Sequence, residues 1–296
     1  MSSQASAKSD QNGVALVFGA ALAWSFGGAI ARFLSVSDSW TIVFWRAGFA
    51  SAFLLAVMLW REGWVGTRSL IFSMRLPALA VALCFATAST SFVIALAHTS
   101  VANILLMQAG APLIAALIGR ALFGEAVSLT TWVAIAAVIT GVAIMVSGTL
   151  SGQISPVGDS LALLIAVLFS VAIVLTRRFS QVSMIPAVWL GTLVSCGFAA
   201  TMAGHFAVSG TDLGILFVFG ALSFALGLSL FVSGVRLIPA TIAALISVAE
   251  PVLAPIWVWL IHDEIPALRT LAGGGIVVAA LLLHVGWQLT APQEQS

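Results

Sequence analysis

Residues 100–125 read SVANILLMQAGAPLIAALIGRALFGE, and residues 239–264 read PATIAALISVAEPVLAPIWVWLIHDE. At an offset of 139, Leu106 falls on Leu245, Pro112 on Pro251, Ala115 on Ala254, Glu125 on Glu264 and, just beyond, Leu129 on Leu268. Each copy is an apolar stretch interrupted by a proline and closed by a glutamate. A proline inside a helix has no N–H for the carbonyl four residues back. The carbonyls of Gln108 and Ser247 therefore lose their partners at equivalent positions, each beside a polar side chain. Such backbone is tolerated in a membrane where it lines a cavity or is buried in protein. Pro255 adds a third break, in the second copy alone.

Composition sets the solvent. The chain of 296 residues is 61% hydrophobic and only 7% charged, with a mean hydropathy of +1.16, against about 25% charged for soluble domains. A net charge of +1 offers nucleic acid no basic surface. Lys8 is the only lysine, which excludes a phosphate-cradling Walker A loop. Cys84 and Cys196 each lie alone in an apolar span and read as inert thiols. No Gly-x-Ser-x-Gly, His-Glu-x-x-His or ligand-spaced histidine pair occurs, so no enzyme, metal or cofactor is expected.

A membrane-spanning helix needs roughly 20 apolar residues. Ten stretches qualify, at about 14–34, 41–60, 77–96, 101–122, 130–148, 158–178, 184–204, 213–233, 240–261 and 267–287. The run after Lys8 continues past Ala21-Leu22-Ala23 to Leu34, so it reads as a retained first helix, not a cleaved leader. A fainter repeat at offset 145 places Gly13, Leu16, Ser25, Arg32 and Ser35 on Gly158, Leu161, Ser170, Arg177 and Ser180. The expected organisation is a disordered cytoplasmic tail (1–13), a first five-helix repeat (14–148), a linker (149–157), a second repeat (158–287) and a second cytoplasmic tail (288–296).

With the N-terminus inside, Lys8, Arg61, Arg68, Arg75, Arg120, Arg177, Arg178 and Arg236 fall on the cytoplasmic side, and Arg32 and Arg269 outside. That bias sets the orientation. The fold class is thus an all-α membrane protein of ten transmembrane helices in two inverted five-helix repeats, both termini cytoplasmic. Inverted repeats with broken helices are the architecture of secondary transporters.

The candidate site follows from polar groups in apolar spans. Glu250, mid-span in the ninth helix, must face protein or water, because an ionised group at bilayer depth costs about 2.5–3.5 kcal/mol or more. Two readings stand open for it, a substrate or proton site and a paired, packing glutamate. Arg46 sits five residues into the second helix. It can bind a carboxylate bidentately, snorkel outward or pair with an acid, Glu250 among the candidates. Ser89, Ser91, Asn103, Gln108 and Ser247 supply hydroxyl and amide groups, either to a cavity or between helices. Trp40, Trp60, Trp64 and Trp287 read as interface anchors. Trp24, Phe26, Trp45, Trp189, Trp257 and Trp259 lie deeper, and Trp24 and Trp257 join the substrate-binding candidates. Gly27-Gly28 and Gly273-Gly274-Gly275 suit close helix contact.

Pro239-Ala240-Thr241-Ile242-Ala243-Ala244-Leu245, followed by Glu250-Pro251 and Glu264-Ile265-Pro266, resembles the EamA-type signature of the drug/metabolite transporter superfamily. In the first half Phe44-Trp45-Arg46, Ala97–Ala102, Pro112 and Phe123-Gly124-Glu125 carry the resemblance. It departs at Ala111, which stands where the second half has Glu250. The resemblance implies a ten-helix inner-membrane exporter of small metabolites with a cavity between the halves. By overall similarity it is most like the aromatic amino-acid exporters. The expected partners are a small-molecule substrate and the lipid bilayer, in a monomer or homodimer. Two other functions fit the residues: a multidrug exporter of lipophilic cations, with Glu250 as counter-charge, and a non-transporting membrane scaffold or receptor.

Overall fold

The computed structural model describes residues 2–290 apart from 97, 100–103, 105–106, 125, 148–155, 264 and 266. Among the described residues every regular element is helical, as apolar chain must be when lipid offers the backbone no hydrogen bonds. Six stretches are long and apolar enough to cross a membrane: Asp10–Ala31, Ser39–Phe72, Pro156–Arg178, Ile185–Met202, Gly210–Val235 and Ala240–His262. Leu76–Phe92, Ala111–Phe123, Leu129–Met145 and Leu268–His284 are shorter apolar helices.

In chain order the elements are α1 (Ser2–Ser25), α2 (Gly27–Ala31), α3 (Ser39–Phe72), α4 (Leu76–Leu96), α5 (Ala111–Phe123), α6 (Leu129–Val146), α7 (Pro156–Arg178), α8 (Ile185–Met202), α9 (Gly210–Phe217), a π-helical segment (Val218–Ala225), α10 (Leu226–Val235), α11 (Ala240–Ser247), α12 (Ala249–His262) and α13 (Leu268–Thr290). Local chemistry sets several ends. Asp38 caps α3 by accepting the amides of Trp40 and Thr41 at 3.1 and 3.2 Å. Ser128 caps α6 by accepting the amide of Thr131 at 3.2 Å. Gly124, at φ 67°, closes α5 with its amide on the Arg120 carbonyl.

Both expected breaks in the repeated stretch are present. The first copy turns at Ala109–Gly110 and restarts as α5, with Pro112 in its first turn. The second stops at Ser247 and restarts after Val248, with Glu250 and Pro251 opening α12. Proline suits a first helical turn because the N–H it lacks would have no partner there. The third expected break is absent: Pro255 lies inside α12, which continues unbroken through it to His262, so its missing N–H costs only the hydrogen bond to the Pro251 carbonyl.

Three features depart from the sequence reading. Helix begins at Ser2, within the segment read as a tail. The first span is not continuous, since α1 ends at Ser25 and α2 resumes after Phe26. The connection after residue 60 is helical to Phe72, because only Gly63 leaves helical backbone before Ser73. The linker 149–157 lies largely outside the described residues.

The packing is symmetric under exchange of the halves. α4 packs on α7 as α10 packs on α1. α4 meets α8 as the π-helical segment meets α3, and α5 meets α7 as α12 meets α1. α3 with α8 and α6 with α13 are their own counterparts, and α5 also packs on α11. Gly141 and Gly273 let α6 and α13 touch: a Cβ on Gly141 would lie 2.7 Å from a Val277 methyl. Gly27 lies close to the Phe219 ring, whereas Gly28 and Gly275 meet nothing nearby. All eight residues of α11 are buried, which places it centrally, since a helix apolar all round must be enclosed. The break that follows α11 is therefore near the middle of the molecule.

Candidate functional site

The site grows from the interruption of the first span. A helix end leaves carbonyls short of donors, and two hydroxyls serve the last turn of α1. Ser25, fully buried, donates to Leu22 O at 2.7 Å, and Ser223 of the π-helical segment donates to Ala23 O at 2.8 Å. The Ser25 oxygen also accepts the indole N–H of Trp257 at 2.8 Å. The Trp257 ring stacks on Phe26, centroids 4.3 Å apart and planes 20° apart. Trp24 reaches the other way, donating to the Phe224 carbonyl at 3.3 Å and packing its ring 5.2 Å from Phe231. Thus α1, α12 and the π-helical segment are tied together at the break.

The π-helical segment also holds Arg46. Its guanidinium carbon lies 5.2 Å from the Phe219 centroid and 4.7 Å from that of Phe224. The backbones come close here, for a Cβ on Gly220 would run into the Arg46 carbonyl. Arg46 Nε is buried without a hydrogen-bond partner, and among the described residues Arg46 forms no ion pair. Of the three sequence readings of Arg46, pairing with an acid is therefore not seen among the described residues. π-helical turns inside α-helices occur frequently at functional sites.

Glu250 opens α12, where the helix dipole favours negative charge. Among the described residues it makes no hydrogen bond or ion pair. It lies seven residues, two turns, before Trp257 and so shares the face that meets α1. Two opposite charges, neither paired with the other, thus sit on elements gathered around one broken helix.

The first half uses the same positions differently. Ser170, counterpart of Ser25, donates to the carbonyls of Ala166 and Ala111 at 2.7 and 3.0 Å. Ala111 is the counterpart of Glu250, and Ile118 that of Trp257. What is a single hydroxyl-to-carbonyl contact between helices in one half is a larger polar, aromatic cluster in the other.

The remaining candidates separate from this cluster. Ser89 and Ser91 lie on α4, half-buried and buried, and Gln108 lies half-buried just before the first break. None of the three is joined to the cluster by a hydrogen bond among the described residues. The Ser247 hydroxyl donates to Ala243 O at 2.8 Å within its own helix. Asn103 lies outside the described residues. Trp45 binds the Phe206 carbonyl at 3.0 Å, and Trp259 is turned outward. Phe219 and Phe224 were not singled out by sequence, where nothing distinguishes them among 18 phenylalanines. Among the described residues no cluster of His, Cys, Asp and Glu could hold a metal ion.

The model of the EamA-like transporter family matches residues 11–147 and again residues 156–286. The chain belongs to the EamA-like transporter family. Its two matched segments are the two repeats, and membership makes the chain a multi-pass membrane transporter of small molecules. One crystal structure has the same fold, with a TM-score of 0.82 at 16% identity over 95% of this chain and 99% of that one. No curated protein matches.

Proposed function

We propose that this EamA-like transporter exports amino acids, aromatic ones favoured, across the inner membrane by alternating access. In this reading all ten apolar segments cross the membrane, both termini are cytoplasmic, and the two repeats lie inverted. One observation carries the substrate class: among the described residues neither Arg46 nor Glu250 has an ion-pair partner, Arg46 lies over the Phe219 and Phe224 rings, and Trp257, two turns after Glu250 on the same helix, stacks on Phe26. Leaving a buried charge uncompensated costs several kcal/mol. A zwitterion compensates both, its carboxylate at Arg46 and its amine at Glu250, with its apolar part against the rings. A lipophilic cation would satisfy Glu250 but leave Arg46 as a repelling charge, which disfavours the multidrug reading.

The test is counterflow into proteoliposomes of the purified chain, with a panel of amino acids and lipophilic cations, with and without a pH gradient. Saturable exchange of aromatic amino acids without cation exchange is the expected result. Exchange of cations alone would replace this reading by the multidrug one, and no solute movement would favour a scaffold or receptor. Normal transport by both Arg46→Ala and Glu250→Gln would remove these residues from the site.

A further inference from the structure

The long helix α3 carries a second feature, far from the charges just described. Its 34 residues would extend about 51 Å at 1.5 Å per residue, well beyond a hydrocarbon core of about 30 Å. Gly63, at φ 66° and ψ −179°, interrupts it. A positive φ of this kind is one glycine adopts readily, so the helix is divided there into a spanning piece and a short piece over residues 64–72.

The short piece has two faces. Thr67, 3% exposed, and Leu70 turn inward, and Leu70 shares a cleft with Met58, Arg61, Glu62, Ser183 and Ile185 near the start of α8. Trp64, Arg68 and Phe72, four residues apart, form the outer stripe, with Trp64 73% and Phe72 79% exposed. Trp60, just before the interruption, is 86% exposed. Arg68 lays its guanidinium 5.6 Å from the Phe72 centroid. Arg61, Arg68 and Arg75 are answered by a single carboxylate, Glu62. Water would make such an aromatic stripe costly, whereas the lipid interface accepts indole and phenyl rings beside arginine.

We infer that residues 60–76 form an interfacial binding site for anionic phospholipid, with Arg61, Arg68 and Arg75 engaging the head-group phosphate and Trp60, Trp64 and Phe72 seated among the upper acyl chains. Charge decides the class of lipid. A zwitterionic head group carries its own cation against the phosphate, so it gains little from three arginines. An anionic one brings uncompensated charge, and each arginine near the surface adds roughly fivefold to binding. This site is independent of substrate identity.

The full-length protein in detergent, titrated with phosphatidylglycerol or phosphatidylcholine and followed by native mass spectrometry, tests it. Phosphatidylglycerol should bind preferentially. Arg61→Gln, Arg68→Gln and Arg75→Gln should each weaken that binding roughly fivefold while leaving phosphatidylcholine unchanged. Arg→Lys at the same positions should keep most of the preference, which separates lost charge from lost folding. Arg120→Gln, an exposed control, should have no effect. The inference is overturned if the two lipids bind equally, if all three Gln variants keep the preference, if Arg120→Gln reduces it as much, or if soluble glycerol phosphate competes as well as the lipid does.

Discussion

Replacing Arg46 by Gln should weaken recognition of a substrate's carboxylate and of nothing else. In the fold the guanidinium carbon lies over the rings of Phe219 and Phe224, at 5.2 and 4.7 Å, while Nε is buried without an acceptor. An N–H group without an acceptor is open to a ligand, and a carboxylate is the acceptor that matches a guanidinium. Hydrogen bonds to a charged group contribute about 1.5–3 kcal/mol, which corresponds to about 10- to 150-fold in Kd. The assay is competition of counterflow by an aromatic amino acid and by its decarboxylated amine, in wild type and Arg46→Gln. The amino acid should lose that factor and the amine should not. Loss of the two cation–π contacts, each about 0.5–2 kcal/mol, lowers stability for both ligands alike, so it cancels in the ratio. If both ligands weaken equally, Arg46 holds the fold and does not read the carboxylate.

Three further outcomes are expected. Glu250→Gln should reverse the comparison, weakening the decarboxylated amine and the amino acid while leaving a des-amino carboxylic acid unaffected in the same assay. Ser25→Ala leaves the Trp257 indole N–H without its acceptor and should cost about 1–3 kcal/mol, read as a lower thermal midpoint in detergent. Adding Trp257→Phe should recover part of that loss, because no donor is then left unpaired. Asp38→Ala should cost about 1 kcal/mol through loss of the α3 cap. In wild type the Thr41 hydroxyl, with the amides of Trp40 and Thr41, holds the Asp38 carboxyl below its ordinary 3.8. Its stabilisation is therefore complete above that value and is lost as pH falls through the depressed one. An acid titration should show wild type and Asp38→Ala converging below pH 3.8.

The parts legible in the sequence were those where one residue type breaks a strong rule. Proline in an apolar run located the interruptions at Gln108–Pro112 and Ser247–Pro251, because a missing N–H acts on backbone four residues away. Arg46 and Glu250 stood out because charge inside an apolar span is expensive. The partners of these groups were not legible. Trp257 meets Ser25 across 232 positions, and only assembly of the two halves sets that distance. The interruption at Phe26 has no proline to announce it, and hydroxyls from two helices sustain it. Ser247 stands beside a freed carbonyl in sequence, yet its hydroxyl has an acceptor one turn back. The helical piece after Gly63 reads as a connection in sequence because its polar residues obscure a period that the fold reveals.

The exchange of partners between the halves has a consequence for biosynthesis. As the chain emerges from the ribosome, α1 and α4 enter the membrane before α10 and α7, the helices they pack against, have been made. Arg46 enters the bilayer long before Phe219 and Phe224 exist to cover it, and Trp24 waits some 200 residues for its acceptor. The first repeat must therefore be kept from aggregating or slipping back until the second arrives. A stop codon in the linker should yield a fragment cleared by membrane proteases, and supplying the second repeat as a separate chain should rescue it.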